Sequence, residues 1–265
     1  MSLTYTAVVH RLRAAGCVYA EDEASLLLAT PGNVGALVDQ RVTGRPLEHL
    51  LGWAEFCGLR ITVDAGVFVP RQRTAFLVSL AAALADPIVV DLCCGSGAVG
   101  AAIVAARPET QLCAVDIDPT AVACARRNLT EHVYEGDLYE PLPTGLRGRV
   151  GVLVANAPYV PTGAIGTLPT EARDHEPRVA LDGGPDGLDV ARRVIAGAPG
   201  WLRPGGHLLI ETSRRQAPRL AAPMAAAGLK PRIEADENLG ATVVVGRKAT
   251  IAMGPEEPLP DPSFT

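Results

Sequence analysis

The apolar positions of the chain change period twice. Near the start, Leu3, Ala7, Val8 and Leu12 recur at helical spacing, and Gly16 stands where a helix would stop. "EDEASLLLAT" opens on acids, which suit the positive end of a helix, and "NVGALVDQRVTG" offers Asn33 as an N-cap. Residues 1–52 therefore read as a small helical domain. In residues 53–70 the period shortens. "LRITV" and "VFV" flank Asp64-Ala65-Gly66, which predicts a hairpin turning at those three residues and linking the helices to the larger remainder of the chain. Trp53 and Phe56 fit core positions, or the packing of this hairpin on the next domain. "PRQRTAFLVSLAAALA" then returns to helical spacing.

From Pro87 onward, strand and helix alternate. "IVVDLCC", "QLCAVDI", "HVYEGD", "VGVLVAN" and "GGHLLIET" are strand-like, with amphipathic helices after most of them. This is the pattern of an α/β fold with a doubly wound, mostly parallel sheet over residues 71–248. "LKPRIEA" and "TVVVGRK" have no helix between them and are expected to pair antiparallel. The Pro-rich, polar end, residues 249–265, reads as a disordered tail.

Composition narrows the function. Of 265 residues 48% are hydrophobic, enough for a sizeable core, and the net charge is −5. With 4% aromatics, neither a broad basic grip nor a row of base-stacking platforms is available, so direct nucleic-acid binding is not expected. The paired arginines at 126–127, 192–193 and 214–215 read as solvated helix faces. Six cysteines form no C-x-x-C pair and read as free, mostly buried thiols, and five scattered histidines show no ligand spacing, so no metal is expected. No apolar run reaches the roughly 20 residues of a membrane span, and no secretory signal opens the chain, so a cytoplasmic location is expected.

"DLCCGSGAVG" places Gly95, Gly97 and Gly100 as G-x-G-x-x-G between a strand and a helix, and Asp116 ends the next strand about 20 residues on. That is a nucleotide-cofactor fingerprint, with the carboxylate on a ribose. Asp91, just before the loop, would oppose a pyrophosphate and favour a cationic ligand such as S-adenosylmethionine. It could equally be a structural acid bonded to loop N–H groups. Asp118, before Pro119, reads as a helix N-cap. Asp137 reads as an acceptor for an adenine amino group or as a solvated loop acid.

The fourth strand of this alternation ends on Asn156-Ala157-Pro158-Tyr159. In a doubly wound sheet this end lies beside the glycine loop, at the switch point where ligands bind. A planar amide or amine can be held there by two acceptors, the Asn156 side chain and the Ala157 carbonyl, with Pro158 fixing the backbone and Tyr159 offering a face for stacking. Methyl transfer to such a nitrogen depends mainly on placement.

On these motifs the chain resembles the HemK/PrmC family of protein-(glutamine-N5) methyltransferases. "GRPLEHLLGWAEFCGLRITVDAGVFVPR", "DLCCGSGAVG", "AVDIDPTAVACARRN", "NAPYVP" and "EPRVALDGGPDGLDVARRVI" carry the resemblance, which spans roughly residues 20–248. It implies a class I methyltransferase domain with a seven-stranded sheet, and an N-terminal domain that recognises the substrate. The implied cofactor is S-adenosylmethionine, leaving S-adenosylhomocysteine. The implied partner is a protein, most often the Gly-Gly-Gln loop of a peptide release factor, or a ribosomal protein, met by a monomer. By position, Asp91, Cys93, Gly95 and Gly97 would line the methionine end of the cofactor. Asp116 with Ile117 would take the ribose, Asp137 and Leu138 the adenine, and Asn156 would border the cofactor. The resemblance gives substrate contacts to Asn156, Ala157, Pro158, Tyr159, Glu176, Pro177 and Arg71.

Two departures stand out. Ala157 replaces the first proline of the family's Asn-Pro-Pro-Tyr. In "VPRQRTA", Gln72 and Ala75 replace the proline and glutamate of Ile-Pro-Arg-Pro-x-Thr-Glu, which makes a divergent paralogue with a shifted target conceivable. Three rival readings use the same residues: an adenine-N6 methyltransferase, a small-molecule methyltransferase and a non-catalytic cofactor binder. The acidic balance weighs against the first, and the linker and "EPRVAL" segments against the second.

Overall fold

The computed structural model describes residues 3–84, 86–130 and 132–250; nearly all of the expected tail lies outside them. Four helices come first: α1 (Tyr5–Ala14), α2 (Ala20–Ala29), α3 (Val34–Val42) and α4 (Leu47–Leu51). Thr4 and Asn33 cap α1 and α3 by accepting backbone N–H bonds from Ala7 and Ala36. Val8, Leu12, Leu27 and Val38 form the helices' own core, each fully buried. The short helix α4 was not expected from the apolar period, since five residues are too few to display one.

The hairpin differs from the expected one. Its strands are β1 (Trp53–Phe56) and β2 (Leu59–Thr62), and the turn is Cys57-Gly58. Both turn residues are left-handed, at φ 52° and 74°, which matches the twist of a two-residue hairpin. Asp64-Ala65-Gly66 is a turn without a second strand. The 67–69 segment has its backbone groups taken by side chains instead: His49 Nε2 lies 2.8 Å from the Val67 carbonyl and Glu176 accepts from Val69 N–H. Phe56 is fully buried with the main core, whereas Trp53 lies under the Arg60 guanidinium at 4.1 Å.

The main sheet has helices on both faces. After α5 (Ala75–Ala83) come β3 (Ile88–Leu92), α6 (Ala98–Ala106), β4 (Gln111–Asp116), α7 (Pro119–Asn128), β5 (His132–Glu135) and β6 (Val150–Ala155). A long connection containing α8 (Thr170–His175) leads to α9 (Asp189–Trp201), β7 (Leu202–Glu211), α10 (Ala217–Ala226), β8 (Leu229–Asp236) and β9 (Ala241–Lys248). The strand order is β5-β4-β3-β6-β7-β9-β8, with β9 alone running against the direction of the others and with β5 and β8 at the edges. β3 and β6 pair in parallel, Leu92 opposite Ala155, so the chain reverses its winding between them. Both strands are buried on both faces, which explains their continuous valine and leucine runs.

Candidate active site

The glycine loop leaves β3 and enters α6. Cys93 (φ 57°), Gly95 (φ 55°) and Gly97 (φ 78°) are all left-handed, which folds the loop back tightly. Gly95 N–H donates to Asp116 Oδ2 at 2.8 Å, and Asp118 N–H donates to Asp116 Oδ1 at 2.9 Å. The Asp116 carboxylate thus ties loop to strand, while each oxygen keeps a second lone pair for a ligand. Asp118 caps α7, as its place before Pro119 predicts, accepting from Thr120 N–H at 2.8 Å. Asn128 at the end of α7 accepts from Thr62 N–H and donates to the Thr62 and Ser96 carbonyls, so the hairpin also braces the loop.

A cavity of about 580 Å³ opens at the carboxyl ends of β3, β4 and β6, within the range of ligand sites. Of the residues expected to meet the cofactor, Cys93, Gly95, Asp116, Ile117, Asp137, Leu138 and Asn156 line it. Asp91 and Gly97 are not among its lining residues. Asp91 is 1% exposed and its Oδ2 accepts from Gly100 N–H at 3.0 Å, the arrangement of a structural acid behind the loop. Burial pushes its carboxyl up to about 7. A Cβ on Gly97 would come within 2.9 Å of Leu129, so this glycine serves helix packing. Asp137 is paired with Arg193 of α9 at 2.6 Å, and Arg193 borders the cavity as well, so that arginine is not simply a solvated face.

The described cysteines are all free thiols, though Cys57 in the hairpin turn is exposed. Burial, reinforced by the Asp116 and Asp91 charges, pushes the Cys93 thiol far up, so it meets the cavity as a neutral S–H.

The same cavity is lined by Asn156, Ala157, Pro158 and Tyr159, together with Arg71 and Pro177. The loop after α8 runs directly behind the tetrapeptide. Val160 N–H donates to the Leu181 carbonyl at 3.0 Å and Gly183 N–H to the Val160 carbonyl at 2.9 Å. A Cβ on Gly183 would sit 2.6 Å from the Pro158 carbonyl, and one on Gly187 would collide with the Tyr159 carbonyl. This close approach is why "LDGGPDG" needs glycine at both places.

Glu176 does not itself line the cavity, whereas Pro177 beside it does. It is buried, accepting from Val69 N–H at 3.1 Å and from Arg71 Nη2 at 2.6 Å. Its role is to tie the loop to the linker and to hold Arg71, whose guanidinium stacks on Phe68 at 4.7 Å. Burial pushes the Glu176 carboxyl up, and Arg71 pulls it back down. Sequence reasoning missed Arg73, Glu211 and Gln216, which meet around Tyr159. Nothing local marks them, since Arg73 and Tyr159 are 86 residues apart. Among the described residues no group of three or more His, Cys, Asp or Glu side chains is placed to hold a metal.

The chain is similar to known proteins. Residues 58–167 match the model of the methyltransferase small domain family. The chain is 37% identical over 217 residues, 79% of its length and 75% of the relative's, to a release factor glutamine methyltransferase of Geobacter sulfurreducens. It is 39% identical over 203 residues, 71% of its length and 67% of the relative's, to a ribosomal protein uL3 glutamine methyltransferase of Bordetella pertussis. In fold alone it is similar to a methyltransferase from Pyrococcus furiosus, with a TM-score of 0.54 at 15% identity over 72% of this chain and 90% of that one. With a doubly wound sheet, a glycine loop tied to an acid and Asn156-Ala157-Pro158-Tyr159 across one cavity, the chain belongs to the HemK/PrmC family of protein-(glutamine-N5) methyltransferases.

Proposed function

We propose that this chain transfers a methyl group from S-adenosylmethionine to the side-chain amide nitrogen of a glutamine in a translation protein, a peptide release factor before others. The observation that carries the reading is one cavity shared by Gly95, Asp116, Asn156 and Ala157. The residues present fit the cofactor. A Cβ on Gly95 would meet nothing within 4 Å, so the loop leaves room for a ligand against its backbone. Asp116 has acceptor capacity left for two ribose hydroxyls. Ile117, half exposed beside it, and Leu138 offer apolar surface to a flat base.

When bound, S-adenosylmethionine supplies an electrophilic methyl group on a sulfonium. This chain's own residues present the acceptor. The Asn156 side-chain oxygen and the Ala157 carbonyl accept the two N–H bonds of a glutamine amide and fix its plane. An amide nitrogen is a weak nucleophile, so orientation and exclusion of water supply the advantage. Phe68, Leu168, Val179 and Leu181 add apolar wall to the cavity, which suits a peptide segment.

The test uses purified protein, labelled S-adenosylmethionine, and unmethylated release factors and ribosomal protein uL3, with mass spectrometry of the products. One methyl on the glutamine of the Gly-Gly-Gln loop is expected. Label on uL3 alone would move the target, and no label on either protein would overturn the reading.

A further inference from the structure

Tyr159 is held at both ends by residues from the turn between β7 and α10 and from the segment before α5. Its carbonyl accepts from Gln216 Nε2 at 2.9 Å. Its phenol oxygen accepts from Arg73 Nη2, and Arg73 Nε is in turn directed at Glu211 Oε1, 3.3 Å away. Gln216 is 8% exposed and Glu211 is 2% exposed, so both anchors sit in the interior. The Gln216 amide also reaches the carbonyls of Asp186 and Gly187 at 3.2 and 3.4 Å, and its oxygen accepts from Ser213 Oγ at 2.5 Å. It therefore gathers the end of the tetrapeptide and the loop behind it onto one side chain.

Ala157 makes this clamp consequential. A proline there would lock φ of residue 157; alanine leaves φ free, and Pro158 restricts only the ψ of Ala157. With φ of Ala157 free, the aim of its carbonyl also depends on what holds the residues after it. We infer that Gln216 and Arg73 are positioning residues for the acceptor amide, fixing Tyr159 at both ends so that the Ala157 carbonyl and Asn156 keep their geometry. This rests on the methyl-transfer reading of the site.

Two variants test it, Gln216→Leu and Arg73→Met, with Gln216→Glu as a third. Turnover on the acceptor protein is expected to fall by up to about 10²-fold in each of the first two, the scale of a 1 Å misplacement. Calorimetric affinity for S-adenosylmethionine should stay within about twofold, because neither residue reaches the glycine loop or Asp116. Gln216→Glu adds a readout that general weakening would not move. A neutral carboxyl can donate to the Tyr159 carbonyl and a carboxylate cannot, so this variant should regain activity as pH falls while the parent does not. Folded Gln216→Leu and Arg73→Met proteins with parental turnover would overturn the inference, as would a pH profile of Gln216→Glu that parallels the parent's. If the parent protein labels no glutamine, the function reading fails on its own. The positioning role is then judged by a crystal structure of Gln216→Leu: a displaced Tyr159 upholds it and an unmoved one overturns it.

Discussion

Arg41 of α3 and Glu171 of α8 form an ion pair at 2.6 Å that joins the N-terminal helices to the wall of the cavity. The same guanidinium holds Glu23 of α2 through two further bonds, at 2.6 and 3.0 Å. The two partners differ in setting, since the Glu23 side chain is 10% exposed and that of Glu171 is 47% exposed. Removing Arg41 strands a buried carboxylate, which typically costs about 3–5 kcal/mol. Removing the Glu171 charge breaks a half-exposed contact worth about 1 kcal/mol or less. Urea unfolding of Arg41→Met should therefore show a far larger loss than that of Glu171→Gln, and equal losses would refute this ranking.

Asp116 holds the glycine loop through Gly95 N–H and its own turn through Asp118 N–H. Hydrogen bonds to a charged group contribute about 1.5–3 kcal/mol each. Asp116→Ala should reduce affinity for S-adenosylmethionine by at least about tenfold in calorimetry, since one such bond to the ribose is worth that much. Asp116→Asn should lose less, because an amide oxygen still accepts. The opposite ranking would show that the carboxylate does not face the ligand.

Asn156→Ala removes one of the two acceptors for the glutamine amide and leaves the glycine loop untouched. Turnover should drop by about 10²-fold or more, while cofactor affinity changes little. A variant with parental turnover would remove Asn156 from the acceptor site.

Asp91 makes stability depend on pH. Its carboxyl is raised from an ordinary 3.8 to about 7, by burial above all. Between those values the folded chain binds more protons than the unfolded one. The Asp91 contribution to stability is thus fully present below about pH 4 and is lost as pH rises through about 7. Asp91→Asn keeps an acceptor for Gly100 N–H and cannot ionise, so its unfolding free energy should vary less over that window. Parallel profiles for the two proteins would count against the assigned state of Asp91.

Local pattern carried much of this molecule. The valine and leucine runs of β3 and β6, the glycine loop, Asp116 and the strand-end Asn156 were legible because each is a short stretch whose residue types answer to one requirement. What escaped was long-range. The hairpin turn fell at Cys57-Gly58 because that pair takes two left-handed residues in a row, while the Val67–Val69 backbone was claimed by His49 and Glu176. Glu176 reads as a loop acid until its partner Val69, 107 residues earlier, is seen beside it. Gln216 and Glu211 belong to the same class: their neighbours are set by the order of strands, which no periodicity encodes. Asp91 shows a different limit, since a carboxylate beside a glycine loop can serve a ligand or the loop itself, and only its burial separates the two.

The rims of the sheet bear on how this protein behaves when concentrated. An unpaired edge strand is a template for another chain, and β8 is eight residues long. It carries Lys230, Pro231, Arg232, Glu234 and Asp236, so it presents a charge at every second position and one residue with no N–H to donate. The opposite rim, β5, is only four residues long. One edge thus resists sheet-to-sheet aggregation by charge and proline and the other by brevity, which leaves copies of the chain little purchase for joining their sheets end to end.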